Sequence, residues 1–238
     1  MSVSAASNIF GNHLRRSVAL VVLVAGCLGL AVAQDKPAEG NLNVEDLKVR
    51  AEAGDRTATR QLGDAYYAGR GGVEQNFGEA MRWYTKLAQQ GDVRAQTTLG
   101  LMYSRGYGVA KDPQAALRWW SFAAAANDAG AQYNLGTVYA NGDGVAQDHA
   151  RAAQWYLKAS GRNHVQAMFN LGMLYYEGKG VPKDPVRSYY WIKLAELHGD
   201  DLAPDMLKKV GAGMAPGQVK DATTQAEEMF KKAQKLLR

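Results

Sequence analysis

Residues 131–156 read AQYNLGTVYANGDGVAQDHARAAQWY, and this stretch recurs in recognisable form four times along the 238-residue chain. Each copy combines a Leu-Gly-x-x-Tyr motif, a glycine-rich segment and a tryptophan. The motif glycines lie 37, 36 and 36 residues apart. Self-similarity at this period is typical of repeat proteins, in which small units stack and contact only their neighbours. The repeated residues are Leu62, Gly63, Tyr66 and Trp83; Leu99, Gly100, Tyr103 and Trp119; Leu135, Gly136, Tyr139 and Trp155; and Leu171, Gly172, Tyr175 and Trp191.

The residue pattern predicts that each unit is a helix–turn–helix pair. In the second unit, alanine, leucine and tyrosine recur every four positions over residues 95–103, which places them on one stripe of a helix that Asp92 can cap. Residues 106–109 end this helix, because glycine adopts backbone angles that other residues avoid. Asp112 and Pro113 then start the second helix as N-cap and first helical residue.

The motif glycine lowers the stability of its helix, so its recurrence needs a physical reason. In a helix interior, glycine is about 1 kcal/mol less favourable than alanine. Because this glycine recurs in every unit, as Gly100 does in the second, we expect a partner helix to pass too close for a Cβ atom. The repeated residues as a group, including the tryptophans at matching positions, are predicted to form the repeat core.

The combined pattern A-x-x-x-L-G-x-x-Y…G-x-G-V…D…A…W-Y, as in Ala131 to Tyr156, resembles the Sel-one-like repeat. That family is a subclass of the tetratricopeptide-type α-solenoids with a longer, glycine-rich loop between its helices. The resemblance implies an all-α fold, a right-handed superhelix of four helix pairs with helical caps. The predicted boundaries are an N-terminal capping helix at 44–53, repeats at about 54–90, 91–127, 128–162 and 163–200, and C-terminal capping helices at 201–238.

The N-terminal region is predicted to be processing sequence. Arg15 and Arg16 precede an uncharged stretch over residues 17–33, which ends in the small-x-small pattern Ala31-Val32-Ala33. Residues 1–33 are therefore interpreted as a signal peptide cleaved after Ala33, and residues 34–43 as a disordered linker. The expected location is the periplasm or the exterior of a bacterial cell.

Two alternatives to soluble export stay open. The 17 uncharged residues sit at the short limit for an uncleaved membrane anchor. Residues 24–27, Val-Ala-Gly-Cys, resemble a lipobox, in which Cys27 would carry a lipid. Contact with a membrane is expected only through this segment or that lipid.

The residues beyond the signal segment offer no arrangement typical of catalysis. His149, His164 and His198 occupy three different places in the repeat, so they are expected at the surface. No catalytic residue, metal ligand or cofactor is predicted. Cysteine-rich members of the family have been discussed as β-lactam-handling enzymes, but this chain lacks those cysteine pairs. Its dispersed charge, net +5 overall, does not favour nucleic-acid binding.

A partner-binding groove is implied by the resemblance, because in tetratricopeptide-type folds the first helix of each pair lines a concave groove. By analogy its residues lie two positions before each motif leucine, and two and five positions after it. They are Arg60, Asp64 and Tyr67; Thr97, Leu101 and Ser104; Tyr133, Thr137 and Ala140; and Phe169, Met173 and Tyr176. This strip becomes more aromatic and apolar toward the C-terminal units. The alternative is that the C-terminal segment folds back and buries the apolar end.

The predicted function is a non-enzymatic adaptor or scaffold that binds a protein or peptide. Stacked units make extended surfaces, which suit the binding of another macromolecule. A narrower alternative is an immunity-type inhibitor that binds a toxic effector in the periplasm. An envelope hydrolase acting on peptidoglycan or β-lactams is the rival from a different class, and it would need a nucleophile–base pair that the sequence does not offer.

Overall fold

The computed structural model describes residues 43–236, and within that range every regular element is an α-helix. The predicted signal peptide, and the linker up to residue 42, lie outside the described residues. Eleven helices occur in the described range: α1 (Val44–Glu52), α2 (Arg56–Ala68), α3 (Phe77–Gln89), α4 (Val93–Arg105), α5 (Pro113–Ala125), α6 (Ala129–Asn141), α7 (His149–Ser160), α8 (Val165–Glu177), α9 (Pro185–Leu197), α10 (Ala203–Gly211) and α11 (Pro216–Leu236).

Four helix pairs form the body of the protein. The pairs are α2 with α3, α4 with α5, α6 with α7, and α8 with α9, and each second helix also packs on the first helix of the next pair. Helix α1 packs on α2 in the same manner, so it stands where a second helix would precede the first unit. Helices α10 and α11 both pack on α9. Each pair therefore contacts only its neighbours, as expected for a repeat protein.

Side-chain caps begin all eight paired helices. An N-cap oxygen accepts from backbone N–H groups that have no partner within the helix, and this contact usually contributes about 1 kcal/mol. Asp92 and Asp112 cap α4 and α5 as predicted. His164 takes this position at α8, where the other first helices have aspartate. The caps are Asp55, Asn76, Asp92, Asp112, Asp128, Asp148, His164 and Asp184.

The glycine-rich turns connect the two helices of each unit and also contact the preceding unit. Gly106 ends α4 in the left-handed conformation with φ of 74°. Two residues later, Gly108 has φ of 73°, and a Cβ there would lie 2.5 Å from the carbonyl carbon of Phe77 in the preceding unit. Gly180 repeats this approach, at 2.2 Å from the carbonyl carbon of His149. The second loop glycine thus allows one unit to pack against the backbone of the previous one.

The motif glycine marks a close approach between the two helices of every unit. A Cβ on Gly100 would lie 2.4 Å from the Trp120 ring, and one on Gly136 would lie 2.6 Å from the Tyr156 ring. Gly63 meets Tyr84 and Gly172 meets Ile192 in the same way. The residue facing the glycine is the one after each repeated tryptophan. Glycine is required there because the facing side chain fills the space that a methyl group would occupy.

The core contains the motif leucines and a set of residues that the motif does not include. Leu62, Leu99, Leu135 and Leu171 are all buried. The motif tyrosines are only half-buried, and the residue three positions after each leucine is buried instead. These additional core residues are Ala65, Met102, Val138 and Leu174. Residues three and four positions after the leucine lie on either side of its helix face, and the core lies on the side of the third.

The repeated tryptophans join neighbouring units rather than filling single ones. Trp119, Trp155 and Trp191 are half-buried, and each packs against a core cluster formed by the second helix of the preceding unit and the first helix of its own unit. Trp83 has no preceding unit, yet it is 2 % exposed. Helix α1 lies against α3 there, since the ammonium group of Lys86 donates to the carbonyl oxygen of Ala51.

The C-terminal helices cover the last unit. Ala222 and Ala226 of α11 are buried, and Ala226 belongs to a cluster with Ile192 of α9 and Leu207 of α10. A terminal element that covers the apolar end of the stack is what a repeat array needs for solubility. In residues 43–236, no helix has the length and apolar character needed to cross a membrane.

Candidate functional site

The residues assigned to the groove lie on α2, α4, α6 and α8, and we call this surface the first-helix face. Asp64 is exposed, and the other residues of the set are partly buried. The first-helix face is defined as Arg60, Asp64, Tyr67, Thr97, Leu101, Ser104, Tyr133, Thr137, Ala140, Phe169, Met173 and Tyr176. The structure assigns different contacts to its three positions.

The position before the leucine connects one unit to the next. Arg60 donates to Asp92, the N-cap of α4, and Thr97 donates to Asp128, the N-cap of α6, at 3.0 Å. The ring of Tyr133 stacks on that of His164, the N-cap of α8, with ring centroids 4.5 Å apart. These side chains are predicted to contact the partner, which stays a prediction. The structure adds that they also contact the next unit, because the next first helix begins directly beside them.

The two side chains of the Arg60–Asp92 ion pair differ strongly in solvent exposure. The Asp92 side chain is 7 % exposed and that of Arg60 is 37 % exposed. Burial alone would raise the pKa of the Asp92 carboxyl group. The backbone N–H of Ala95 and the guanidinium group of Arg60 outweigh burial, so this pKa lies below its ordinary value. Asp92 therefore stays ionised and serves both as a cap and as an inter-unit ion-pair partner.

The residue two positions after each motif leucine is complementary in polarity to the side chain that faces the motif glycine. Asp64 accepts from the Tyr84 hydroxyl at 2.7 Å, and Thr137 lies 3.3 Å from the Tyr156 hydroxyl. Burial raises the pKa of Tyr84, and it raises that of Tyr156 to about 12, so both hydroxyls stay protonated. In the second and fourth units, the residue that faces the motif glycine is tryptophan or isoleucine. The residue two positions after the leucine is apolar there: it is Leu101 in the second unit and Met173 in the fourth.

The fourth unit exposes less of its first-helix face than its aromatic and apolar residues led us to expect. Phe169, Met173 and Tyr176 pack partly against the apolar cluster shared with α9, α10 and α11. The ammonium groups of Lys209 and Lys183 lie 5.3 and 5.8 Å from the Tyr176 ring centroid. The alternative in which the C-terminal segment covers the apolar end thus applies in part to this unit. In the described residues, no apolar side chain of the first three units packs against that cluster.

The three histidines are half-buried, so the expected surface location was wrong. His164 accepts from the backbone N–H of Ala167 through Nδ1 at 3.4 Å. Burial lowers its pKa to about 4, which keeps the ring neutral and able to accept. The His198 ring lies edge-on to Phe230 with centroids 4.8 Å apart, and burial lowers its pKa too. Helix ends are covered here because a neighbouring unit or cap packs over each of them.

Two arginines at the edge of the first-helix face were missed by the sequence argument. Arg94 and Arg105 are exposed and lie in the first and last turns of α4. They are eleven residues apart, and eleven residues are three helical turns plus about 20°, so both lie on one helix face. This spacing is the signal that could have found them. Within residues 43–236, no group of three His, Cys, Asp or Glu side chains is placed to hold a metal ion.

Comparison with known protein families agrees with the repeat architecture. The family model described as Sel1 repeat matches residues 57–92, 93–128, 129–164 and 165–200, which together make up more than half of the chain. The chain belongs to the Sel1 repeat family. Each matched segment begins at the start of a first helix, and the first three segments end at the N-cap of the next first helix. Members of this family typically act as protein-interaction scaffolds and are generally not catalytic.

Solved structures include similar Sel1 repeat proteins. One is a Sel1 repeat protein from Oxalobacter formigenes, with 29 % identity, a TM-score of 0.65 and 78 % coverage of both chains. Another is a protective antigen of uropathogenic Escherichia coli with an SLR fold, at 28 % identity and a TM-score of 0.60. This second match covers 79 % of the present chain and 49 % of the antigen. No curated protein matches the chain.

Proposed function

We propose that this Sel1 repeat protein is a non-enzymatic scaffold that binds a segment of another protein along its first-helix face. The observation that carries the proposal is the continuity of this face. In the first three units, the residue two positions before the motif leucine is held against the N-cap of the next first helix, as Arg60 is by Asp92. Adjacent first helices are therefore fixed relative to one another. A preformed surface of this kind binds without a large ordering cost.

The open part of the face lies in the first three units. Leu101 and Ala140 are half-buried apolar residues, and Asp64 is exposed. Polar and apolar groups next to one another on a rigid support are the usual composition of a protein interface. In the fourth unit the C-terminal cluster takes part of this surface, so we place the partner mainly against α2, α4 and α6.

Site-specific photo-crosslinking tests the proposal. A photoreactive amino acid replaces Leu101 or Ser104 on the first-helix face, and in matched controls it replaces Ser121 or Gln154, which are exposed on second helices. In cells that make the full chain, we expect one discrete crosslinked product from the first two positions and none from the controls. Equal crosslinking from both surfaces, or none from either, would refute the proposed binding face.

The proposal includes export to the bacterial periplasm. Its support is the sequence alone: Arg15 and Arg16, the uncharged residues that follow, and the small residues Ala31 and Ala33. The mass of the mature N-terminus distinguishes the possibilities. Cleavage before Gln34 is expected, whereas a lipid-modified Cys27 or an intact Met1 would replace this proposal with an anchored protein.

A further inference from the structure

The second unit carries two exposed arginines that are not held in ion pairs within residues 43–236. Neither Arg94 nor Arg105 forms an ion pair with any residue in the described part of the chain, whereas Arg60 is held by Asp92. Leu101 lies between the two arginines on the same helix face and is half-buried. The exposed face of α4 therefore presents two guanidinium groups on either side of an apolar residue.

The acidic side chains near these arginines are already engaged. Asp64 accepts from the Tyr84 hydroxyl, and Asp128 caps α6 and accepts from Thr97. Arg94 is close enough to Asp64 to oppose the rise in the pKa of that carboxyl group, which burial causes. The groups that could neutralise the arginines from within the protein are thus largely occupied.

A further donor stands beside Arg105. The Tyr67 ring is fixed by edge-on contacts with Phe77 and Tyr107, at centroid distances of 5.3 and 6.5 Å. Its hydroxyl forms no hydrogen bond with the residues that the structure describes. The Tyr107 ring that the Tyr67 ring contacts belongs to the turn two residues after Arg105, which places Tyr67 and Arg105 in the same region of the surface. A guanidinium and a phenol in the same region of the surface are suitable donors to a carboxylate.

We propose that the partner segment is acidic as well as apolar, and that Arg105 with Tyr67 binds one of its carboxylates while Arg94 binds a second. Leu101 contacts an apolar side chain between them. This inference rests on the proposed function, since it specifies the chemistry of the segment that the first-helix face takes. The charge complementarity favours a peptide that carries Asp or Glu over a neutral one.

Selection from a random peptide library tests this chemistry. The peptides have about 12 residues, because an extended chain of that length spans about 40 Å. The chain from Gln34 to Arg238 is the bait, alongside a double variant, Arg94→Gln with Arg105→Gln. The matched control carries Arg118→Gln and Arg162→Gln, two exposed arginines away from the first-helix face whose loss changes the net charge equally. Circular dichroism and thermal unfolding establish that all three proteins are folded.

We expect enrichment of Asp and Glu among peptides selected by the unmodified chain and by the control, but not by the double variant. Fluorescence polarisation of a selected peptide should show affinity reduced about tenfold in the double variant and also when the peptide's Glu is changed to Gln. Selection of neutral apolar peptides with unchanged affinity in the double variant would overturn this inference and leave the proposed scaffold function intact. Absence of any selected peptide would count against both.

Discussion

Arg60 and Asp92 join the first two units, because the guanidinium group of one unit donates to the carboxylate that caps the first helix of the next. Equivalent contacts link Thr97 to Asp128 and Tyr133 to His164. The chemistry changes from ion pair to hydrogen bond to ring stacking, while the positions stay the same. The start of each first helix is thus stabilised both by its own cap and by the previous unit.

Replacement of Asp92 by alanine is expected to lower the free energy of unfolding by about 2 kcal/mol, since it removes a cap and leaves Arg60 without its partner. Urea denaturation measures the change. Asp112→Ala is the control, because Asp112 caps α5 without an ion pair, and it should cost about 1 kcal/mol. Equal losses in the two variants would show that the ion pair contributes nothing to stability.

Gly100→Ala is expected to destabilise the protein by about 2 kcal/mol, because the added Cβ would lie 2.4 Å from a Trp120 ring that is 5 % exposed. The ring cannot easily move, since its Nε1 donates to the carbonyl oxygen of Thr97 at 3.1 Å. Gly217→Ala serves as the control, because a Cβ on this α11 residue meets nothing within 4 Å. The control should be neutral or more stable, by up to about 1 kcal/mol. A similar effect in both variants would contradict the close approach.

Gly180→Ala should lower the melting temperature more than Gly199→Ala. Both residues have positive φ, at 69° and 89°, so each substitution strains the backbone by about 1 kcal/mol. Only Gly180 also meets another unit, with the carbonyl carbon of His149 at 2.2 Å from the added Cβ. Thermal unfolding followed by circular dichroism should therefore show that Gly180→Ala loses at least about 1 kcal/mol more stability than Gly199→Ala. Equal melting temperatures would mean that this contact between units is not required.

His164 should make stability depend on pH in a defined window. Its folded-state pKa of about 4 lies below the value of 6.5 for the free side chain, so the unfolded chain takes up a proton first as pH falls. The free energy of unfolding should then decrease between pH 6.5 and pH 4, by at most about 1.4 kcal/mol per unit from this residue. His164→Asn keeps a capping side chain without titrating there, and should reduce the slope.

The matched variant also separates the contributions of other groups. Asp128, which opposes the lowering of the His164 pKa, is present in both proteins, and so is His198, whose pKa burial also lowers. Chemical denaturation at several pH values measures the two slopes. Identical slopes in the original chain and in His164→Asn would show that the His164 ring is not buried in solution.

Local patterns were sufficient for the repeat and its helix boundaries. The 36-residue period, the cap at Asp112 and the turn at Gly106 depend on backbone geometry within a few residues, so these features could be predicted directly. The close approach at Gly100 was also predictable, because a repeated helical glycine needs a steric reason. The sequence placed both Trp119 and Trp120 on the side of the second helix that faces the first, and only the structure showed that Trp120 is the one that meets Gly100.

The candidate site depended far more on tertiary contacts. Position on a helix face placed Arg60, Tyr133 and Phe169 in the groove, but it could not show that the next unit or the C-terminal helices occupy these side chains. It also could not show that the half-buried His164 ring stacks on the ring of Tyr133. Such contacts join residues about one repeat apart, and the angle between two units decides them.

For this protein, the amino-acid order alone was enough to establish an all-helical stack of four pairs, because propensity, capping and turn geometry act locally and recur four times. Only the packed structure decided which side chains stay available to a partner. Availability depends on how much surface the neighbouring units and the terminal helices remove, and that surface is set by distances between residues far apart in the chain.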